Sequence, residues 1–407
     1  MSIDPTQRPV PNPFSNPFAD GGFAPELNDP FTTKTNGPHR IKFSGSGAEY
    51  FGIWIVNLLL IVITAGIYSP WAKVRREKYF HQHTQIAGSS LDYHGNPISI
   101  LIGRVLTLGL IALTTSNQIN LNLAIGAGLF LAAMLPFAMQ RSIRFRLFNT
   151  SYRGLRFGFH GSVGQAYSIS WLIVLFGLAA FIAPAWINES NKQNLWILGL
   201  AYFGLFIAYP FFHAAWRRYT ISHAQYGSVN TQAKFTTANF LMVYIKSGLL
   251  LVVVPAALMI GGLLFFFWTN QGKLFAVYTS MFLTIPLGFI LYACILSYAP
   301  LVGARLQNLC WHENTIVTDQ HGSQIADFTS DLNVKNFVAL QLKNQILTVL
   351  TLGLYRPYAA IASARMRLEA ISISSLAFVD DVAARAGSQK SAVGDQALDA
   401  IGLDFSL

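Results

Sequence analysis

Acidic side chains are almost missing from the middle of this 407-residue chain: between Asp92 and Glu313 the only one is Glu189. Charge of either sign is scarce, 11% of residues against 53% hydrophobic. A soluble domain carries about a quarter of its residues as Asp, Glu, Lys and Arg. A chain this long with so few could not coat a globular surface, so lipid is the expected solvent. The acidic gap also removes the parts that proton relays and cation channels use inside a bilayer, and with them carboxylate metal sites. Cysteine is rare too. Cys294 and Cys310 form neither a disulfide framework nor a zinc spacing. Histidines 81, 83 and 94 share one loop but lack Cys or carboxylate support, so no metal is expected. Gly-x-Ser-x-Gly, Walker and HExxH patterns are absent, and with them the expectation of catalysis or of a cofactor.

Apolar runs are abundant. Six are long enough to cross the hydrocarbon layer, near 98–116, 121–140, 166–187, 194–216, 239–268 and 275–299. Two more, near 49–71 and 336–358, are interrupted. Cations alternate between the connecting loops. One loop carries Lys73, Arg75, Arg76 and Lys78; the next Arg141, Arg144, Arg146, Arg153 and Arg156; a third Arg217, Arg218 and Lys234. The intervening loops hold at most one lysine each, Lys192 or Lys273. Cationic loops stay on the cytoplasmic side, so the six runs are expected to form three hairpins that enter from and return to the cytoplasm. The net charge of +10 is thereby assigned to the membrane surface and not to nucleic acid.

Repeats organise the chain. Lys78-Tyr79…Thr84…Gly88…Tyr93-His94-Gly95 matches Arg144-Phe145…Thr150…Gly154…Phe159-His160-Gly161 at a constant offset of 66, a pattern that suggests short β-like hairpins at the cytoplasmic surface. A second echo joins the ends. Asn57…Thr64-Ala65-Gly66-Ile67-Tyr68-Ser69-Pro70-Trp71 parallels Asn344…Thr351-Leu352-Gly353-Leu354-Tyr355-Arg356-Pro357-Tyr358. Gly66, Tyr68, Pro70, Trp71, Gly353, Tyr355 and Pro357 are therefore the structural motif at which each segment is expected to break or re-enter. The fold expected is an all-α polytopic membrane protein: six clear spans, two broken or re-entrant segments and short β-like cytoplasmic hairpins. A disordered proline-rich tail (1–38), a membrane domain with internal repeats (39–370) and a cytoplasmic tail (371–407) divide it.

The stretch EYFGIWIVNLLLIVITAGIYSPWAKVRREKYF and the later TLGLYRPYAAIASAR resemble the YjgN-like family of bacterial inner-membrane proteins, over about residues 40 to 370. Ala65 and the long proline-rich N-terminus depart from its pattern. The resemblance implies a multi-pass inner-membrane location and supplies no activity, so no catalytic residue is carried over.

Candidate ligand-binding residues come from misplaced polarity. Arg104, Lys246 and Lys343 lie inside apolar segments, where a cation costs about 2.5–3.5 kcal/mol at mid-helix. Two readings stand: Arg104 and Lys246 snorkel to the cytoplasmic headgroups, or the cations line a basic pocket for a small anionic solute or an anionic lipid. Asn57 and Asn344 join them as polar groups in apolar surroundings, able to bond between helices. Two functions follow, binding or passage of an anion, or docking of partners on the basic cytoplasmic loops.

Overall fold

The computed structural model describes residues 38–115, 121–186, 195–269, 273–312, 314–319, 321–379 and 382. The proline-rich tail, most of the cation-poor loops and most of the segment beyond 373 lie outside them.

Strands and helices alternate in pairs. After β1 (His39–Arg40) and β2 (Lys42–Phe43) come α1 (Gly47–Ile63) and α2 (Ser69–Gln82). Then follow β3 (Thr84–Ile86), β4 (Ser89–Tyr93), α3 (Pro97–Thr115), α4 (Leu121–Phe148), β5 (Thr150–Tyr152) and β6 (Leu155–Phe159). The middle holds α5 (Val163–Trp186), α6 (Leu195–Ser222), β7 (Ala224–Tyr226), β8 (Val229–Ala233), α7 (Thr237–Thr269) and α8 (Lys273–Trp311). The chain ends with β9 (Thr315–Thr318), β10 (Gln324–Ser330), α9 (Val334–Leu350), α10 (Arg356–Glu369) and β11 (Ile371–Ile373).

All eleven strands join one antiparallel sheet, in the order β1-β11-β10-β9-β8-β7-β6-β5-β4-β3-β2. Its two outer members are halves of one segment. His39 and Arg40 pair with Ile373 and Ser372, Lys42 and Phe43 pair with Gln85 and Thr84, and the Ile41 amide between them donates to the Ile371 carbonyl at 3.0 Å. Residues 39–43 thus bond on both edges, and the sheet curls into a nearly closed barrel. The register also places every helix pair at one end. Phe43 faces Thr84, Tyr93 faces Thr150, Phe159 faces Ala224, Ala233 faces Thr315 and Ser330 faces Ile371. Each αα pair leaves one strand and returns beside it. At the other end run tight turns; Ala87-Gly88 and Arg153-Gly154 both take positive φ at their two central residues (45° and 78°, 46° and 78°), the backbone that suits a two-residue hairpin.

The all-α expectation is overturned by this sheet. The expected β-like hairpins exist, but they are staves of a barrel and not isolated ornaments. Nor are six full spans found among the described residues. Among the described residues three helices are long and apolar enough to cross a membrane, Leu123–Phe148, Val163–Pro184 and Leu195–Ser222, while Gly47–Ile63 and Pro97–Ala112 are shorter apolar helices. The boundary drawn at residue 370 falls one residue before a strand: β11 pairs with both β10 and β1. Leu376, Phe378, Val379 and Val382 then turn into the barrel, where they pack on Tyr152, Tyr226, Val317 and Ile373.

The two interrupted segments break in the same way, 287 residues apart. In the first, the Gly66 amide reaches the Ile61 carbonyl (2.8 Å) and Ala65 reaches Val62 (3.1 Å); in the second, Gly353 reaches Thr348 (2.7 Å) and Leu352 reaches Val349 (3.0 Å). These are the paired bonds of a Schellman ending. The left-handed position just after the helix is held by Ala65 (φ 47°) and Leu352 (φ 50°), and the glycines follow at φ 92° and 94°. Thr64 and Thr351 complete each break, donating to the carbonyl four residues back (2.7 Å in both) and accepting the amide of Tyr68 or Tyr355 (3.0 Å in both). Pro70 and Pro357 open the next helix, where the missing amide costs nothing. Tyr68 stacks on Trp71, and Tyr355 on Tyr358. Thr64→Val keeps the shape of the side chain and deprives the Tyr68 amide of its acceptor. It is expected to destabilise the protein by about 1–2 kcal/mol in denaturant melts; a melt indistinguishable from wild type would remove the hydroxyl from the account of the break.

Candidate binding cavity between the broken hairpins

Because α1 and α10 belong to adjacent repeats of the ring, they pack side by side. Tyr358 lies 5.9 Å from the Phe51 ring and covers Gly47, where an added Cβ would meet it at 2.5 Å. Beside this contact lies a cavity of about 820 Å³, walled by α1, α2, α3 and α10. Trp54, Leu58 and Ile61 give it an apolar side; Lys73, Arg76, Glu77, Arg104 and Arg356 give it a basic one.

Each polar group has a local reason to be there. Arg104 reaches from α3 to donate to the Ser69 hydroxyl at the start of α2. Its guanidinium is anchored at the break of the first hairpin. Ser69 and Arg356 occupy the same position of the two broken segments, and both face the cavity. Arg76 bonds Glu77 at 2.7 Å. Burial works against the Arg76 charge, but the Glu77 carboxylate more than offsets it, with a smaller contribution from Tyr50, and the guanidinium is held above its usual value. Lys73, Arg104 and Arg356 have no carboxylate partner among the described residues. Asn57 is 6% exposed on the same wall, and its Oδ1 has no hydrogen-bond partner. The cavity therefore offers an excess of fixed positive charge with few competing acceptors.

Of the five residues expected to bind a ligand, the structure brings Asn57 and Arg104 together. Lys246 and Lys343 are exposed on α7 and α9, away from this cavity. Asn344 is buried, but its amide joins α9 to α10 through the Ala359 carbonyl (3.4 Å) and the Ser363 hydroxyl (3.3 Å). In the sequence, Lys73 and Arg76 stand only as loop cations and Arg356 only as a member of the repeat. The signal that could have found Arg356 is its equivalence to Ser69 in the repeat.

A second polar grouping sits on the barrel wall. The His94 Nε2 lies 2.8 Å from the Ser151 hydroxyl and 3.8 Å from Asp92 Oδ2. Serine, histidine and aspartate invite comparison with a nucleophilic triad, but in a triad the acid holds Nδ1 while Nε2 serves the nucleophile. Here both partners crowd one nitrogen, so the grouping is not a relay.

Comparison with known proteins gives a consistent picture. The family model described as "Bacterial protein of unknown function (DUF898)" matches residues 38–400. The inner membrane protein YjgN of Salmonella typhimurium is 30% identical over 159 residues, 38% of this chain and 40% of that one. The protein of the same name from Escherichia coli O157:H7 is 27% identical over 185 residues, 41% of this chain and 46% of that one. The matched stretches thus span less than half the length of these curated relatives. No solved structure matches.

Proposed function

From the premise that the chain belongs to this bacterial family of unknown function and resides in the inner membrane, we propose that it binds an anionic group, a small solute or a lipid headgroup, in the cavity between its broken hairpins. The observation that carries the reading is the set of three cations, Lys73, Arg104 and Arg356, that line one cavity with no carboxylate partner among the described residues. Lys73 and Arg356 are exposed and Arg104 is half-buried; the Glu77 carboxylate on the wall is already bonded to Arg76, so an external anion is the natural complement of the remaining positive charge. The apolar side of the cavity suits a ligand with a hydrophobic part. The tips of the flanking hairpins carry the same message: Val62, Ile63, Val349, Leu350 and Leu352 are exposed, Leu352 to 95%. Such tips are at home in lipid, with the barrel and the cationic α2 on the cytoplasmic side.

The test is a titration of the purified full chain with sn-glycerol 3-phosphate, and separately in nanodiscs of phosphatidylglycerol or phosphatidylcholine. Native-state binding raises the melting temperature by mass action. Arg104→Ala and Arg356→Ala are each expected to weaken binding about tenfold or more, since hydrogen bonds to charged groups contribute about 1.5–3 kcal/mol. Stabilisation by the soluble phosphate identifies a solute, and stabilisation by phosphatidylglycerol alone identifies a lipid. Equal melting in all conditions with a folded sample would overturn the reading. The docking reading rests on exposure alone: Arg144, Arg146 and Arg153 are all exposed, and Arg146 also lines a cavity inside the barrel.

A further inference from the structure

The barrel is not filled to its helix-facing mouth. A cavity of about 300 Å³ remains there, and it shares no lining residue with the one between the broken hairpins. Its wall is largely apolar. Phe157, Tyr226, Val317 and Trp311 come from the staves and the end of α8, and Leu376 and Phe378 close it from the segment after β11. Two cations line this apolar space, the exposed Arg146 from the last turn of α4 and the half-buried Arg217 from α6. The Arg217 Nε is buried without a hydrogen-bond partner, and no carboxylate pairs with either guanidinium among the described residues. The other polar groups of the wall are already engaged. Thr220, Thr231 and Thr315 donate their hydroxyl protons to the carbonyls of Trp216, Ile221 and Cys310, and the Gln225 amide donates to Gly227. The guanidiniums and the Trp311 indole N–H are the donors left over.

A guanidinium nitrogen buried without a partner is unfavourable, and a half-buried cation beside an apolar chamber of this size has one simple complement. Binding chambers are commonly of this size or larger, mostly apolar, with a few polar groups that fix orientation; small closed barrels often hold one such ligand. We infer that the barrel interior is a second binding site, one that takes a small amphiphilic carboxylate, its acid group on Arg217 and Arg146 and its hydrocarbon part against Trp311, Phe157 and Phe378. This inference stands independently of the cavity between the hairpins.

The experiment uses the full chain in neutral maltoside micelles and two probes of equal length, decanoate and decanol. Decanoate is expected to raise the melting temperature of the wild type and to bind about tenfold more weakly to Arg217→Gln, the loss of one charge-assisted contact. Without ligand, Arg217→Gln is expected to melt at or above the wild type, because the buried Nε without a partner is gone. Decanol is expected to act weakly and equally on both. Arg146→Gln changes a more exposed residue on a different helix and carries the same test should Arg217→Gln fail to fold. Decanoate acting equally on wild type and on the folded variants, or decanol acting as strongly as decanoate on wild type, would overturn the inference.

Discussion

Val379→Asp is expected to destabilise the protein by about 3–5 kcal/mol, the scale of an uncompensated charge placed in a core. Val379 is 2% exposed and packs inside the barrel with Val382, Tyr152, Tyr226 and Ile373. A carboxylate in that apolar cluster would have to protonate or drag the segment out into water. The neighbouring Ala377 is exposed, so Ala377→Asp is expected to lie within about 0.5 kcal/mol of wild type. The comparison is made by chemical denaturation in micelles. If Val379→Asp and Ala377→Asp unfold together, the segment after β11 is not part of the folded core, and the floor of the barrel cavity goes with it.

The second large effect is expected in the membrane helices. An added Cβ at Gly204 of α6 would lie 2.3 Å from the Phe176 ring of α5, and one at Gly128 of α4 would lie 2.2 Å from Phe181 of α5. Lipid tails offer no hydrophobic drive for helices to associate, so close backbone approach at small residues is a main source of their packing. Gly204→Val is therefore expected to cost about 1–3 kcal/mol through overpacking. Gly199, one and a half turns away, has nothing within 4 Å of its would-be Cβ, and Gly199→Val is expected to be nearly silent. Adding Phe176→Ala to Gly204→Val should recover part of the loss, a coupling that two independent sites would not show. Additive losses would mean that the glycine serves some purpose other than receiving the ring.

Much of this architecture is legible in the residues, but unevenly. The repeat at offset 66 correctly points to hairpins that end in tight turns, because Gly88 and Gly154 mark local backbone geometry. The repeat linking Thr64-Ala65-Gly66 to Thr351-Leu352-Gly353 locates the two breaks, although the left-handed position belongs to Ala65 and Leu352 and not to the glycines alone. The barrel itself is not legible. Its strands are two to seven residues long, and their partners lie a helical hairpin away; nothing in Thr84 or Phe159 announces that neighbours 41 and 65 residues distant will bond to them. Of the candidate site, Arg104 and Asn57 stand out because polarity in an apolar run is a local anomaly. Lys73, Arg76 and Arg356 do not, since cations beside a membrane segment are what the charge rule expects.

The closing stave has a consequence for how the molecule is made. Residues 39–43 are synthesised among the first of the barrel, yet His39 and Arg40 find their partners only in Ser372 and Ile373, at the far end of the chain. Until those residues leave the ribosome the growing sheet has an open edge on each side, and exposed edges invite pairing with other chains. The helical pairs can form one at a time, each of the first four followed by two strands of a widening arc. Completion of the ring is a single late event of high sequence separation, slow by nature and unavailable to any nascent chain cut short before β11.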